Sequence, residues 1–174
     1  MSKKLRHNFF ERPTLKVASD LLGKYLIRNY RGKKIIGEIT ETEAYISEND
    51  LASHASRGRT ARTKIMYGKA GHAYIYLVYG MHYMFNIVTE KKDFPAAILI
   101  RALKIDDKLI NGPGKLSQFM KIDKNLNNED LVTSKKLWLE NHSTPFRVKS
   151  IKKTPRIGVD YAGVWRRKPW RFTL

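Results

Sequence analysis

Two short stretches of the chain combine acidic, aromatic and imidazole side chains. Residues 41–45 (ETEAY) carry two glutamates and a tyrosine, and His54 follows them. Residues 74–81 (YIYLVYGM) carry three tyrosines. A carboxylate can deprotonate water, and electron-rich rings hold a flat, cationic group. These residue types therefore form a candidate site for cutting a bond to a planar group.

The two glutamates, Glu41 and Glu43, are separated by one residue. On a β-strand they point to the same face of the sheet, where mutual repulsion could raise the pKa of one of them. A glycosidic bond breaks through an oxocarbenium-like state, which a carboxylate stabilises while it activates water. An acid at the end of a strand is more often a plain surface residue, and the pattern alone leaves both interpretations of Glu43 open.

The chain is strongly basic. Its 174 residues include 34 Lys and Arg against 16 Asp and Glu, a net charge of +18. Residues 57–72 contain five Lys and Arg and no acid, and the stretch from Arg147 to the C-terminus contains nine and a single acid. Such a surplus predicts binding to phosphates. Together with a carboxylate among aromatics it suggests an enzyme that removes a base from DNA, although composition alone fits a non-catalytic basic nucleic-acid-binding module.

Composition also excludes several kinds of chemistry and partner. The chain has no cysteine, which excludes disulfides, thiolate nucleophiles and cysteine-based zinc sites. No apolar run approaches the ~20 residues that span a bilayer. The basic N-terminus has no apolar run behind it, which argues against a signal peptide. We therefore expect the polyanionic partner to be a nucleic acid rather than a membrane.

The elements that position these residues follow from apolar periodicity and turn residues. We predict an α+β fold, a single domain over residues 1–174 in which a curved antiparallel sheet is flanked by helices. The apolar segment 96–101 is expected to be a central strand. Helical segments are predicted from Pro13, at 51–56 and at 115–121, and further strands at 24–30, 34–41, 73–79 and 83–89. The last two strands flank Gly80 and predict a protruding β-hairpin.

Several segments, in this order along the chain, resemble the alkyladenine (3-methyladenine) DNA glycosylase family. The match extends from about Phe10 to the C-terminus. It is carried by ETEAY at 41–45, ASH at 52–54, YIYLVYGM at 74–81, Asn86, LIRAL at 99–103 and GPGKL at 112–116, and RIGV at 156–159 and residues 165–172 also fit. No single segment is specific to the family, whereas six in register are.

The resemblance implies that Glu43, rather than Glu41, is the catalytic base. It also implies that Arg101 lies near the active site, where it would contact the DNA backbone or help to position the attacking water. The alternative role of Arg101 is an ion pair with a buried acid.

Four residues correspond to the family's base-binding pocket: Tyr45, His54, Tyr76 and Asn86. The rings would favour a cationic lesion base over a neutral one, and hydrogen bonds near His54 would discriminate among bases. Asn86 would sterically disfavour the exocyclic amino group of guanine. Without the resemblance, core tyrosines and a structural histidine would be the simpler interpretation.

The hairpin tip corresponds to the family's DNA-intercalating wedge, Tyr79 with Met81. It would fill the gap that a flipped nucleotide leaves in the stack; the alternative is an ordinary tyrosine at a strand end. Tyr76 and Asn86 share a pocket only if they share a face of the hairpin. A two-residue turn would separate them, so we predict a three-residue loop, residues 80–82, which pairs Tyr76 with Asn86.

Two other catalytic classes remain open. GPGK at 112–115 resembles the hairpin of helix-hairpin-helix glycosylases, with Asp130 downstream as a candidate acid, but that class is nearly all helical. A lyase needs an amine nucleophile, which the many lysines could supply. Because the 41–45 segment supplies a carboxylate instead, we predict simple hydrolysis.

The expected function is excision of alkylated or deaminated purines from duplex DNA, which leaves an abasic site. By resemblance, the substrates include 3-methyladenine, 7-methylguanine, hypoxanthine and ethenoadenine. We expect a monomer that needs no metal or organic cofactor and binds damaged double-stranded DNA in a salt-dependent manner. It would act in the cytoplasm at the nucleoid of a bacterium, or in a eukaryotic nucleus.

Overall fold

The computed structural model describes residues 3–142 and 150–174, and within them nine strands form one antiparallel sheet. Arg147, where the basic C-terminal stretch begins, lies outside the described residues. The strands are β1 (Tyr25–Tyr30), β2 (Lys33–Ile46), β3 (Ala73–Val78), β4 (His82–Val88), β5 (Ala96–Ile105), β6 (Lys108–Asn111), β7 (Leu137–Glu140), β8 (Lys152–Thr154) and β9 (Arg171–Thr173).

Helices are short in the described part of the chain. The α-helices are α1 (His7–Phe10), α2 (Thr14–Asp20) and α3 (Pro113–Phe119), and the 3₁₀ helices are His54–Arg57, Thr63–Tyr67, Lys124–Leu126 and Asp160–Arg167. The predicted α+β class is confirmed. The sheet rules out the helix-hairpin-helix alternative, since that class is nearly all helical. No helix in the described ranges is long and apolar enough to cross a membrane.

Strand β2 lies at the centre of the sheet and carries the candidate base. The strand order is β3-β4-β5-β2-β1-β7; β6 pairs with β5, and β9 pairs with β2 and β8. Strand β2 was expected to end near residue 41 but continues to Ile46, because β5 pairs with it on one side and the C-terminal β9 on the other. Glu43 and Tyr45 therefore lie inside a strand rather than after one.

The two faces of β5 serve different purposes. Ile98 and Ile100 belong to the main core, to which α2 and α3 contribute Val17 and Leu116 and the residues directly after these helices contribute Leu21 and Met120. The alternate residues, Ala97, Leu99 and Arg101, line a cavity on the opposite face. Because successive side chains of a strand point to opposite faces, β5 contributes one set of residues to the apolar core and the other set to the candidate site.

The ladder between β2 and β5 is irregular at one point. Ile39 pairs with Leu103, but Glu41 pairs with Ala102 and Thr42 with Ile100, so Arg101 has no direct partner on β2. Such a local irregularity re-aims a side chain. It places Arg101 between the two glutamates of β2.

Strands β3 and β4 form a hairpin whose register differs from the prediction. The loop has three residues, as predicted, but it spans 79–81 and pairs Tyr76 with Met84 rather than with Asn86. The cause is local, since Tyr79 and Gly80 both adopt positive φ (51° and 67°) and reverse the chain one residue early. The predicted pairing is therefore wrong. Because the loop is odd-numbered, Tyr76 and Asn86 still face the same side, as diagonal neighbours.

Candidate active site

A cavity of about 380 Å³ opens on the face of the sheet that carries the odd-numbered residues of β5. The hairpin, the 3₁₀ helix His54–Arg57 and the segment around residue 158 enclose it. Six predicted site residues line it: Tyr45, His54, Tyr76, Tyr79, Asn86 and Arg101. Of the other two, Met81 lies on the exposed hairpin tip, and Glu43 lies directly behind the cavity wall.

Glu43 is fully buried and held by three groups that line the cavity. The backbone N–H of Ile157 donates to Oε1 at 2.8 Å, and the Tyr45 hydroxyl donates to Oε2 at 2.8 Å. Arg101 Nη1 lies 3.5 Å from Oε2. Burial raises the pKa of Glu43, Arg101 and the two hydrogen bonds oppose this rise, and the nearby Glu41 adds to it. The site thus holds a carboxylate of increased basicity.

The second carboxylate, Glu41, is tied to two guanidinium groups. Its Oε1 accepts hydrogen bonds from Arg101 Nε at 2.9 Å and from Arg171 Nη1 at 3.2 Å. Arg101 therefore bridges Glu41 and Glu43, so it forms the ion pair with a buried acid that was considered for it and also lines the cavity, while its contact with the DNA backbone or the attacking water stays a prediction. Glu41 does not line the cavity, and Glu43 is the acid that contacts its wall.

His54 and Tyr76 form an aromatic wall. Their ring centroids are 4.6 Å apart with an interplanar angle of 67°, and His54 Nδ1 lies 2.9 Å from the hydroxyl of Tyr74. Burial lowers the pKa of His54, and the charges of Arg62 and Arg57 lower it further. The imidazole is therefore neutral at pH 7, and one ring nitrogen donates while the other accepts.

Asn86 is buried and fixed in orientation. Its Nδ2 donates to the carbonyl of Tyr74 at 3.1 Å and to that of Met84 at 3.2 Å. Burial raises the pKa of Tyr76 to about 12; Glu43 and Tyr161 add to this rise, and a hydrogen bond with Asn86 opposes it. The amide of Asn86 is consequently a rigid part of the cavity wall.

A buried ion pair packs against the wall of the cavity. No sequence pattern indicated this pair. Arg156 donates from Nη1 and Nη2 to the two oxygens of Asp50 at 2.6 and 2.9 Å, and both side chains are fully buried. The guanidinium carbon lies 4.8 Å from the Tyr45 ring centroid. Since Arg156 precedes Ile157, the ion pair also fixes the N–H group that binds Glu43. RIGV was part of the resemblance, but its contact with Asp50 spans 106 residues.

Two tyrosines of the cavity were also missed. Tyr74 orients His54 and packs in a small core cluster, and Tyr161 lines the cavity from the C-terminal segment. The alternation of YIYLVYGM places Tyr74 and Tyr76 on one face, so Tyr74 could have been found from strand periodicity. No comparable signal marked Tyr161.

The cavity mouth is exposed and basic. Tyr79 exposes 90% of its surface and Met81 69% at the hairpin tip. Arg62, from the basic segment 57–72, lies 6.0 Å from the Tyr76 ring centroid. That segment contains the 3₁₀ helix Thr63–Tyr67. Its positive charge therefore reaches the mouth of the cavity.

Known proteins match this chain over nearly its whole length. The sequence pattern that defines the family described as "Methylpurine-DNA glycosylase (MPG)" matches residues 8–174. The chain belongs to this family. Membership in the methylpurine-DNA glycosylase family confirms the resemblance carried by the six segments, while the roles of individual residues stay predictions.

Three relatives illustrate the similarity, and each is named "Putative 3-methyladenine DNA glycosylase". The protein of Methanocella arvoryzae is 46% identical, with 97% of this chain and 90% of the relative covered. That of Legionella pneumophila (strain Corby) is 47% identical, with 99% and 94% covered. That of Myxococcus xanthus is 44% identical, with 96% and 88% covered.

Proposed function

We propose that the protein is a monofunctional DNA glycosylase that hydrolyses the N-glycosidic bond of alkylated or deaminated purines in duplex DNA. The observation that carries the proposal is the position of Glu43, a buried carboxylate directly behind an aromatic cavity that has room for a purine. Family membership and the names of the relatives agree with this activity. A basic binding module would need no such carboxylate.

In the proposed reaction Glu43 is the general base. Its carboxylate takes a proton from water as the water oxygen attacks the anomeric carbon. The bond from that carbon to the base nitrogen breaks, and its electron pair leaves with the base. An alkylated base leaves readily because its positive charge is neutralised on departure. Negative charge on Glu43 also stabilises the oxocarbenium-like transition state.

Arg101, Tyr45 and Ile157 would keep this base usable. Burial raises the pKa of Glu43 and so favours the protonated carboxyl, whereas all three groups favour the charged form. They also fix both oxygens, so that little reorganisation is needed when positive charge develops on the sugar. Because the pKa of Glu43 is raised, activity should be lost in acid at a higher pH than an ordinary glutamate would give.

The cavity walls would select the base. Tyr45, Tyr76 and His54 present electron-rich faces, which favour cationic lesions. The neutral imidazole of His54 can hydrogen-bond to a base edge, and the fixed amide of Asn86 would obstruct the exocyclic amino group of guanine. The expected substrate class is accordingly 3-methyladenine, 7-methylguanine, hypoxanthine and ethenoadenine.

The decisive test is Glu43→Gln, with release of each of these bases measured from otherwise identical duplexes. We expect binding to persist while base release falls about 10²- to 10⁴-fold, the usual contribution of a general base. Glu38→Gln is the matched control, because Glu38 lies on the same strand but does not line the cavity. Undiminished release by Glu43→Gln would refute the catalytic assignment.

Two alternatives are separated by measurements on the unsubstituted protein. If the unsubstituted protein binds duplex DNA but releases no base from any lesion, it is a non-catalytic module. If borohydride traps a covalent adduct with DNA during turnover, an amine nucleophile forms a Schiff base and the protein is a lyase. We expect release of a free base, an intact abasic strand and no adduct.

A further inference from the structure

The most exposed large apolar side chains of the described residues fall into two pairs. One pair is Tyr79 (90% exposed) and Met81 (69%) on the hairpin, and the other is Val164 (73%) and Tyr161 (71%) on the segment Asp160–Arg167. The next most exposed, Leu109, reaches 57%. Tyr79 and Tyr161 both line the cavity. The cavity therefore has two apolar rims, of which only the hairpin was anticipated.

The second rim is a built surface rather than a loose end. Gly163, with φ 56°, breaks the segment into two turns, and Ala162 between the exposed residues is fully buried. Ala162 packs with Ala52 and Val159. The backbone carbonyl of Trp165 accepts a hydrogen bond from Arg156 Nη2 at 3.3 Å. These buried contacts thus fix the segment with Tyr161 and Val164 facing solvent.

The charge around this rim is positive. Arg166, Arg167 and Lys168 follow Val164 closely and are exposed, and Asp160 is the only acid between residues 150 and 174. Clustered exposed apolar area is uncommon on a free protein surface, and exposed apolar area next to exposed positive charge fits nucleic acid, which offers stacked bases and phosphates together. Charge and apolar area together indicate DNA as the occupant.

We propose that residues 160–167 form a second DNA-contact surface, on which Tyr161 packs against the nucleotide next to the flipped one on the damaged strand. The proposal rests on the proposed function, because it assumes that the cavity receives a nucleotide. A nucleotide inside the cavity stays bonded to its neighbours, so its strand must leave across a rim. The hairpin rim would fill the gap in the duplex, and the Tyr161 rim is then where the strand passes, with Arg166 and Arg167 near its phosphates.

The test is Tyr161→Ala, with affinity measured for a duplex that contains a tetrahydrofuran abasic analogue. This duplex places no base in the cavity, so it reports contacts outside the base pocket. We expect Tyr161→Ala to weaken binding about 10-fold, as loss of an aromatic stacking contact does. Tyr161→Phe should bind like the unsubstituted protein, since it keeps the ring. Leu109→Ala, an exposed apolar position that does not line the cavity, should have no effect.

Two results would overturn the proposal. One is unchanged affinity of Tyr161→Ala for the analogue duplex. The other is weakened affinity only when a lesion base is present, which would make Tyr161 a wall of the base pocket and nothing more. Failure of the proposed function is a separate observation, namely that the unsubstituted protein releases no base. Thermal unfolding of Tyr161→Ala should match that of the unsubstituted protein, because the side chain is mostly exposed.

Discussion

The buried residues beneath the cavity, which we call its floor, and the exposed residues at its rims differ in burial and in polar contacts. On the floor, Glu43, Asp50 and Arg156 are fully buried, and each makes specific polar contacts at hydrogen-bonding distance. On the rims, Tyr79 and Tyr161 expose most of their surface. The floor is therefore organised before any DNA arrives, which is what electrostatic stabilisation of a transition state requires. The rims carry exposed apolar surface that only a bound partner would cover.

The largest expected effect is on the floor, from Asp50→Asn. Asp50 neutralises Arg156 and also accepts backbone hydrogen bonds from Ile46 and Ala52. Its replacement leaves a buried guanidinium without its counter-charge, which costs about 3–5 kcal/mol of unfolding free energy. Urea denaturation measures this cost.

The matched control for Asp50→Asn is Asp93→Asn on the surface. Asp93 forms an exposed ion pair with Arg59 at 3.4 Å, and such pairs contribute about 0–1 kcal/mol. If both substitutions cost the same, the floor does not depend on its buried ion pair. If Asp50→Asn is folded but misplaces Ile157, base release should fall more than DNA binding does.

Tyr79→Ser on the rim is expected to have a smaller effect, and this effect should fall on DNA binding rather than on stability. The substitution removes an exposed ring, so the unfolding free energy should change by less than about 0.5 kcal/mol. Loss of a stacking contact should weaken binding to damaged duplex by about 1–3 kcal/mol. Fluorescence anisotropy at constant salt, together with urea denaturation, separates the two quantities. A loss of stability as large as the loss of binding would mean that Tyr79 supports the hairpin rather than contacts DNA.

The contrast also explains what could be predicted from the sequence. Strand alternation and the resemblance predicted the α+β class and six of the residues that line the cavity, because these depend on local pattern and on segments kept in order. The exact hairpin register was missed, since it depends on two successive residues, Tyr79 and Gly80, adopting positive φ. Asp50 and Arg156 were missed because their contact joins distant parts of the chain, which no local pattern encodes.

Tyr161 was missed for a different physical reason. Exposure is decided by what the neighbours of a residue bury, and here Ala162 and Arg156 anchor the segment from within. A tyrosine followed by small residues gives no hint of this arrangement. Rim residues of this kind become visible only when the burial of the whole segment is known.

The smallest expected effect concerns one hydrogen bond on the floor, removed by Tyr45→Phe. The hydroxyl of Tyr45 donates to Glu43 and favours its charged form, so its loss should raise the pKa of Glu43 further. The acid side of the pH–rate profile should then move to higher pH, while the rate well above this range changes little. Single-turnover base release measured across pH checks the shift. Tyr25→Phe is the control, because it also removes a tyrosine hydroxyl, which is hydrogen-bonded to His142, and Tyr25 does not line the cavity.

Stability gives a second measurement of the same contact. The pKa of Glu43 is higher in the folded protein than in the unfolded chain. Its contribution to the free energy of unfolding is therefore fully present below its ordinary pKa and is lost as pH rises through its pKa in the folded protein. Because the hydroxyl of Tyr45 favours the charged carboxylate, the cost of Tyr45→Phe should be small at a pH below the ordinary pKa of glutamate and larger at a pH above the raised pKa of Glu43. The cost of Tyr25→Phe should not follow this trend. A cost of Tyr45→Phe that is independent of pH would mean that the hydroxyl does not sense the charge of Glu43, and the proposed tuning of the base would fail.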